Sequence, residues 1–137
     1  SPTIAEAYGE SYTDYSIVSA YTGLPTVCGW QTHEWLWRFH GIVDEETDLL
    51  ISDPDYDVWS IYLTPRHTDI RTVYTTENTA EIQEIIDRYN VEYIVIGPLE
   101  RSRFAYDNTE RISSLGEVVY SADGVTIVRT TPAGVPA

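Results

Sequence analysis

Apolar positions repeat most regularly at Ile82, Ile85, Ile86 and Tyr89, three and four residues apart, which predicts a helix with one stripe turned to a core. Asn78 and Glu81 precede this stripe at the spacing of a capping box, and Asn90 closes it. The run that follows, Val91–Ile96, is apolar enough for a central strand, and Gly97-Pro98 ends it. Two earlier stripes are shorter: Ile70, Val73 and Tyr74 after Thr64-Pro65, and Val58, Ile61 and Tyr62 after Asp53-Pro54. Each opens with a cap residue and a first-turn proline. Residues 109–115 read as a short helix stopped by Gly116. Residues 117–121 and Val125–Thr130 read as a hairpin over Ala122-Asp123-Gly124. The tail beyond Thr130 is predicted to fray.

The first third of the chain is less periodic. Residues 3–7 predict a strand that Tyr8-Gly9 breaks, and residues 9–16 predict a polar loop presenting Tyr12 and Tyr15. Residues 17–21 are too short to assign. Residues 25–29 form an apolar run between Pro25 and Gly29 and predict a second strand. Thr32 is a fair N-cap for a helix over residues 33–40, on which His33, Trp37 and His40 share one face while Glu34 and Arg38 pair on the next. Residues 44–57 carry seven acids, Asp44, Glu45, Glu46, Asp48, Asp53, Asp55 and Asp57, and predict a solvated connector. Strands separated by helices, with a closing hairpin, give an α/β single-domain sandwich: a mixed, largely parallel sheet flanked by helices.

Composition narrows the function. At 137 residues with 42% hydrophobic and 12% aromatic content, the chain can bury one real core. Against 22 acidic residues stand 8 basic ones, for a net charge of −14, which excludes nucleic acid or anionic lipid as partners of a basic patch. All the basic residues are arginine, and an acidic, lysine-free surface fits a protein of a halophilic source that works in concentrated salt. Cys28 is alone, so no intrachain disulfide forms, and its apolar neighbours make it a small core residue. No apolar run approaches the ~20 residues of a membrane span and no signal peptide is visible. The chain therefore reads as soluble, and its abrupt start at Ser1-Pro2 reads as that of a domain excised from a larger protein.

Several segments together carry a resemblance: GESYTDYS, AYTGLPTVCGW, HEWLWR, VYTT, YNVEYIVIGPLER and VVYSADGVTIV. Over residues 4–128 the chain resembles the carboxy-terminal soluble part of the Chlor_Arch_YYY family, large polytopic membrane proteins of archaea and Chloroflexi. The most specific pieces are the TGLPT segment leading into Gly29-Trp30, His33-Glu34 and Trp37-Arg38, and the GPLER after the strand. Cys28 departs from the aliphatic residue expected there. The resemblance implies an extracytoplasmic accessory domain of a membrane-embedded, glycosyltransferase-like protein that uses a lipid-linked sugar, with the catalytic acids carried on the membrane part. Its implied partners are the transmembrane part of the same polypeptide and a saccharide or polyprenyl-phosphate sugar. The alternative is a non-catalytic assembly domain docking on the membrane helices.

The candidate ligand or interface residues are Glu6, Tyr12, Thr22, Trp30, His33, Glu34, Trp37, Arg38, Glu100 and Arg101. His33-Glu34 lacks the second histidine of a HExxH zinc motif, and His40 or His67 and Asp69 would join only through the tertiary fold, so no metal and no cofactor is assigned. Arg38 or Arg101 suits phosphate oxygens. Trp30, Trp35 and Trp37, with Tyr8, Tyr12 and Tyr15, suit sugar faces, a membrane interface or an aromatic core. Trp35 and Trp37 lie two apart on the predicted helix and so cannot both face inward. Glu100-Arg101 reads as a local ion pair or a pocket edge at the carboxyl end of a strand, with Glu6 as a further carboxylate able to join Arg38 or Arg101. No catalytic residue is assigned, and no Ser-His-Asp order, phosphate-cradling loop or dinucleotide fingerprint supports an independent hydrolase.

Overall fold

In the computed structural model, residues 2–9, 15–30, 34, 38, 41–53 and 55–133 are described. A four-stranded mixed sheet in the order β1-β4-β6-β5 organises the chain, with helices flanking it. β1 (Thr3–Ala5) runs parallel to β4 (Val91–Ile96), and β6 (Val125–Thr130) pairs antiparallel with both β4 and β5 (Gly116–Ala122). The fold is thus the mixed α/β arrangement expected, but the sheet is not largely parallel: β1 with β4 is its one parallel pairing among the described residues, and β6 is antiparallel to both β4 and β5. The β5–β6 turn is Asp123-Gly124, with φ of 54° and 78°, the two left-handed residues that a tight two-residue hairpin needs.

Both clearest patterns reappear intact. The helix Thr79–Tyr89 (α3) buries Ile82, Ile85 and Ile86, each worth roughly 1.5–3 kcal/mol when removed from water. Its cap is relayed: Asn78 Oδ1 accepts the Ala80 N–H, while the Thr76 hydroxyl accepts the Asn78 N–H at 3.1 Å and donates to Glu81 at 2.6 Å. Asn90 ends the helix at φ 53°. The helix Thr64–Thr75 (α2) buries Ile70, Val73 and Tyr74 as predicted and packs on α3 and on the helix Pro98–Phe104 (α4).

Elsewhere the sequence reading needs correction. The stripe Val58, Ile61, Tyr62 assumes an α-helical period, whereas Trp59–Leu63 forms a π-helical turn. Val58 and Leu63, five apart, are the buried pair, and Ile61 is 51% exposed. Asp57, not Asp53, caps this turn, accepting from the Trp59 N–H and the Ser60 hydroxyl. The acidic connector is partly a hairpin, β2 (Gly41–Val43) against β3 (Leu50–Ser52), whose strand residues are exposed wherever described, so no burial period marks it. Residues 25–29 contribute a single parallel bridge at Thr26 beside Ile4, because Pro25 has no N–H and the chain bends at Val27 and Cys28. Ile17–Thr22 is a short helix (α1), and the helix after Asn108 spans Thr109–Ser113 (α5), with Gly116 opening β5 rather than capping it. Residues just past β6 are tied down: Thr131 O accepts from Gln83 and the Ala133 N–H donates to Asp87.

The core gathers between the sheet and helices α2, α3 and α4, around Ile4, Leu63, Ile70, Tyr74, Ile86, Ile94 and Phe104. Tyr8 belongs to it, 5% exposed and stacked on His67 at 3.8 Å, which removes it from the aromatic surface. Gly9 is required nearby, since a Cβ there would lie 2.3 Å from the Tyr15 ring.

Candidate functional site at the carboxyl edge of the parallel strands

β1, β4 and the Thr26 bridge run in one direction, so the residues that follow them meet at a single edge. Glu6 follows β1, Gly97 follows β4, and Gly29 and Trp30 follow the bridged segment. This is the edge where open α/β sheets place ligands. Two buried carboxylates, Glu6 and Glu100, meet there, and a third, Glu34, binds the Gly29 N–H beside them.

Each is held differently. Glu100 lies in the first turn of α4, behind Pro98, and accepts the Gly97 N–H at 2.9 Å and the Ala7 N–H at 3.1 Å. It therefore caps its own helix and ties that helix to the end of β1. Burial nonetheless raises its carboxyl above the ordinary range. Arg101 does not form the expected local pair; it reaches the hairpin and donates to Gly124 O at 2.6 Å. Glu6, 2% exposed, accepts the Ser19 N–H of α1 at 3.3 Å through Oε1, while its Oε2 finds no hydrogen-bond partner among the described residues. Burial first, and the charge of Glu100 next, push the Glu6 carboxyl up to about 7. Neither expected arginine joins it: Arg38 pairs with Glu34.

Glu34 accepts the Gly29 N–H at 3.2 Å and pairs with Arg38 Nε at 3.1 Å, the i, i+4 contact that the spacing predicts. The Arg38 guanidinium lies 3.9 Å from the centre of the Tyr62 ring, and Arg66 lies 4.3 Å from the same centre. Arg66 also donates to Val27 O at 2.9 Å, so Tyr62 is held by two arginines that are themselves anchored. Trp30 donates its indole N–H to Tyr15 O at 2.6 Å. Glu34, Arg38, Tyr62 and Trp30, with Ser16 and Ser19 of the α1 start, line a cavity of about 560 Å³. That volume suits a small ligand.

Of the remaining candidates, Thr22 acts locally, donating to Val18 O and accepting the Leu24 N–H as α1 ends. Tyr12, His33 and Trp37, like Trp35 and His40, lie outside the described residues. His67 and Asp69 diverge: His67 stacks on Tyr8, and Asp69 pairs with Arg88 and Tyr89. Among the described residues no three His, Cys, Asp or Glu side chains gather as a metal would need. Cys28 is fully buried, and burial with Glu34 nearby pushes its thiol up to about 12, so it is no nucleophile.

Sequence reasoning missed Tyr62, Arg66, Ser16 and Tyr74 as builders of this edge. Ser16, at φ 55°, sends its hydroxyl toward Ala7 O and Cys28 O, and Tyr74 sends its own toward Ala5 O and Val95 O. These links are long-range and leave no local mark. Glu100 was readable, because proline at the first helical position and glutamate at the third are a helix-start signature. No family model, curated protein or solved structure matches the chain.

Proposed function

We propose that the chain is an extracytoplasmic accessory domain of a membrane-embedded, glycosyltransferase-like protein of a halophile, and that the Trp30–Tyr62 cavity receives the saccharide of a lipid-linked sugar. The observation that carries this reading is the Glu34–Arg38 pair fixed beside two aromatic side chains in one cavity of ligand size. Sugars offer apolar ring faces and directional hydroxyls, and this wall offers aromatic surface and a preset carboxylate–guanidinium pair in return. Arg38, with its side chain 45% exposed, is also placed to meet a phosphate at the reducing end. The domain binds and orients; chemistry belongs to the membrane part. Arg101, engaged with the β5–β6 turn, has no part in this cavity.

The test uses the full-length protein with Glu34→Gln or Arg38→Ala. Transfer to the acceptor falls at least tenfold while assembly in the membrane is unchanged, whereas unaltered transfer refutes the reading. Loss of assembly instead supports the second reading, a domain that docks on the membrane helices of its own polypeptide. That reading is favoured by one observation, the β2–β3 hairpin, which exposes Ile42, Val43, Leu50 and Ile51 beyond its acidic turn.

A further inference from the structure

α1 and the residues just past it contribute Ser19, Gly23, Leu24 and Pro25 to the lining of the Trp30–Tyr62 cavity. This segment is anchored at its two ends. Before it, the Ser16 N–H donates to Ala7 O at 2.8 Å, and after it, Pro25 O accepts the Ile4 N–H at 2.9 Å. Left-handed backbone marks both turns, Ser16 at φ 55° and Gly23 at φ 73°. Between the anchors, among the described residues, the hydrogen bonds from α1 to the rest of the fold all go to Glu6: the Ser19 N–H donates to Oε1 at 3.3 Å, and the Val18 N–H donates to the same carboxyl. Of the α1 side chains that are described, Val18, Ser19 and Thr22, none is fully buried. We propose that residues 17–24 are a strap on this cavity, latched by Glu6, and that ionisation of Glu6 releases it.

The latch follows from what Glu6 caps and where its charge goes. A helix leaves its first N–H groups without partners inside the helix, and Ser16, at the N-cap, makes no side-chain cap, so Glu6 accepts them from the end of β1. Glu6 Oε2 is sealed from solvent with no hydrogen-bond partner among the described residues. Glu100 beside it is committed to the Gly97 and Ala7 N–H groups. A sealed carboxylate with one oxygen unpaired and a like charge as neighbour is costly, so the closed strap holds the neutral acid. An ionised Glu6 regains water only where a neighbour moves. α4 is tied to the end of β1 through Glu100, and β1 and β4 are tied by the Tyr74 hydroxyl. α1 has only Glu6, so α1 is what moves.

The sign is set by the groups that face Glu6. They are the Val18 and Ser19 amides of α1, Glu100 of α4 and the Tyr74 phenol of α2, and none is a cation. Burial, and after it the Glu100 charge, push the closed-strap carboxyl up to about 7, against an ordinary 4.5. Closure is therefore fully favoured below about pH 4.5, weakens as pH rises and levels off above about 7. From pH 5 to pH 8 the opening equilibrium grows roughly 70-fold. The consequence for ligand, that a sugar enters and leaves by way of the strap, rests on the saccharide reading of the cavity; the strap itself does not.

Amide hydrogen exchange on the ¹⁵N-labelled chain at pH 5 and pH 8, each rate compared with the intrinsic rate at that pH, reads strap opening at Ser19 and global opening at Ile86 of α3. Protection at Ser19 is expected to fall roughly 70-fold from pH 5 to pH 8, to stay well below that at Ile86, and to be unmoved by about 1 M urea, which speeds exchange at Ile86. In Glu6→Gln the fall with pH disappears. Equal protection at Ser19 and Ile86, a Ser19 protection that ignores pH, or the same fall in Glu6→Gln overturns the proposal. Should Glu6→Gln fail to fold, the pH ratio at Ser19 and its indifference to urea decide on the unaltered chain. No sugar is present, so a failure of the saccharide reading leaves this result untouched.

Discussion

Replacing Tyr74 with Phe isolates the link that holds the carboxyl edge together. The phenol is 2% exposed, and its hydroxyl lies 3.0 Å from Ala5 O and 2.7 Å from Val95 O, the carbonyls at the ends of β1 and β4. Phenylalanine keeps the ring, including its stacking on Phe104 at 5.1 Å, so neither a cavity nor lost aromatic contact enters the comparison. One hydroxyl proton serves one carbonyl fully at a time. The loss is therefore a single buried hydrogen bond whose acceptor water cannot reach, about 1–3 kcal/mol. Against a whole stability of about 5–15 kcal/mol this is a large fraction. For a domain of this size it lowers Tm by roughly 4–12 °C. Urea unfolding followed by tryptophan fluorescence reads it as a lower midpoint at unchanged slope. Amide exchange adds a local readout, because the Ala7 N–H that Glu100 accepts lies just past the Ala5 carbonyl and loses protection as that end of β1 loosens. A variant within about 0.5 kcal/mol of the parent, with Ala7 protection intact, refutes the bridging role, since that is the scatter of neutral surface changes.

Three further outcomes follow from charge. Glu6 holds its proton more tightly in the folded chain, at about 7 against an ordinary 4.5, so its contribution to stability is fully present below about pH 4.5 and lost as pH rises through about 7. The loss is roughly 3 kcal/mol at most; Glu6→Gln removes that part of the pH slope, and an identical slope in variant and parent contradicts the assignment. His67 works the other way: burial, with Arg103 adding to it, lowers the imidazole to about 4, so stability falls as pH drops from 6.5 toward that value. With −14 to screen, Tm rises between 0.1 M and molar sodium chloride as the screening length shrinks from about 10 Å to about 3 Å, and a flat or falling Tm rejects the halophilic reading.

Much of the fold was legible because its elements bury one face. Val91–Ile96 and the Ile82, Ile85, Ile86 stripe carry their own period, and Asp123-Gly124 carries the backbone freedom that its turn demands. The Glu34–Arg38 pair was legible too, because the two residues stand four apart in the sequence. What escaped has no such local sign. The β2–β3 hairpin turns its described strand residues to solvent and so shows neither alternation nor a core run. The π-helical turn buries Val58 and Leu63 at a spacing of five, which a period of 3.6 misassigns to Ile61.

Part of the site was legible as a list of residues, Glu6, Trp30, Glu34, Arg38 and Glu100, and none of it as an arrangement. Glu6 and Glu100 are 94 positions apart, and only the parallel pairing of β1 with β4 brings their strand ends to one edge. That pairing also decides their chemistry. Had Arg38 or Arg101 joined them, both carboxylates would be neutralised and fixed in structural roles. Arg38 instead commits to Glu34 and Arg101 to the β5–β6 turn, so the edge divides into two environments. In one, a satisfied ion pair beside Trp30 and Tyr62 is suited to recognition, because it changes little when a ligand arrives. In the other, Glu6 is buried beside a like charge with one oxygen unpartnered, so its protonation is still open to choice. A carboxyl in that state makes the stability of this domain respond to pH.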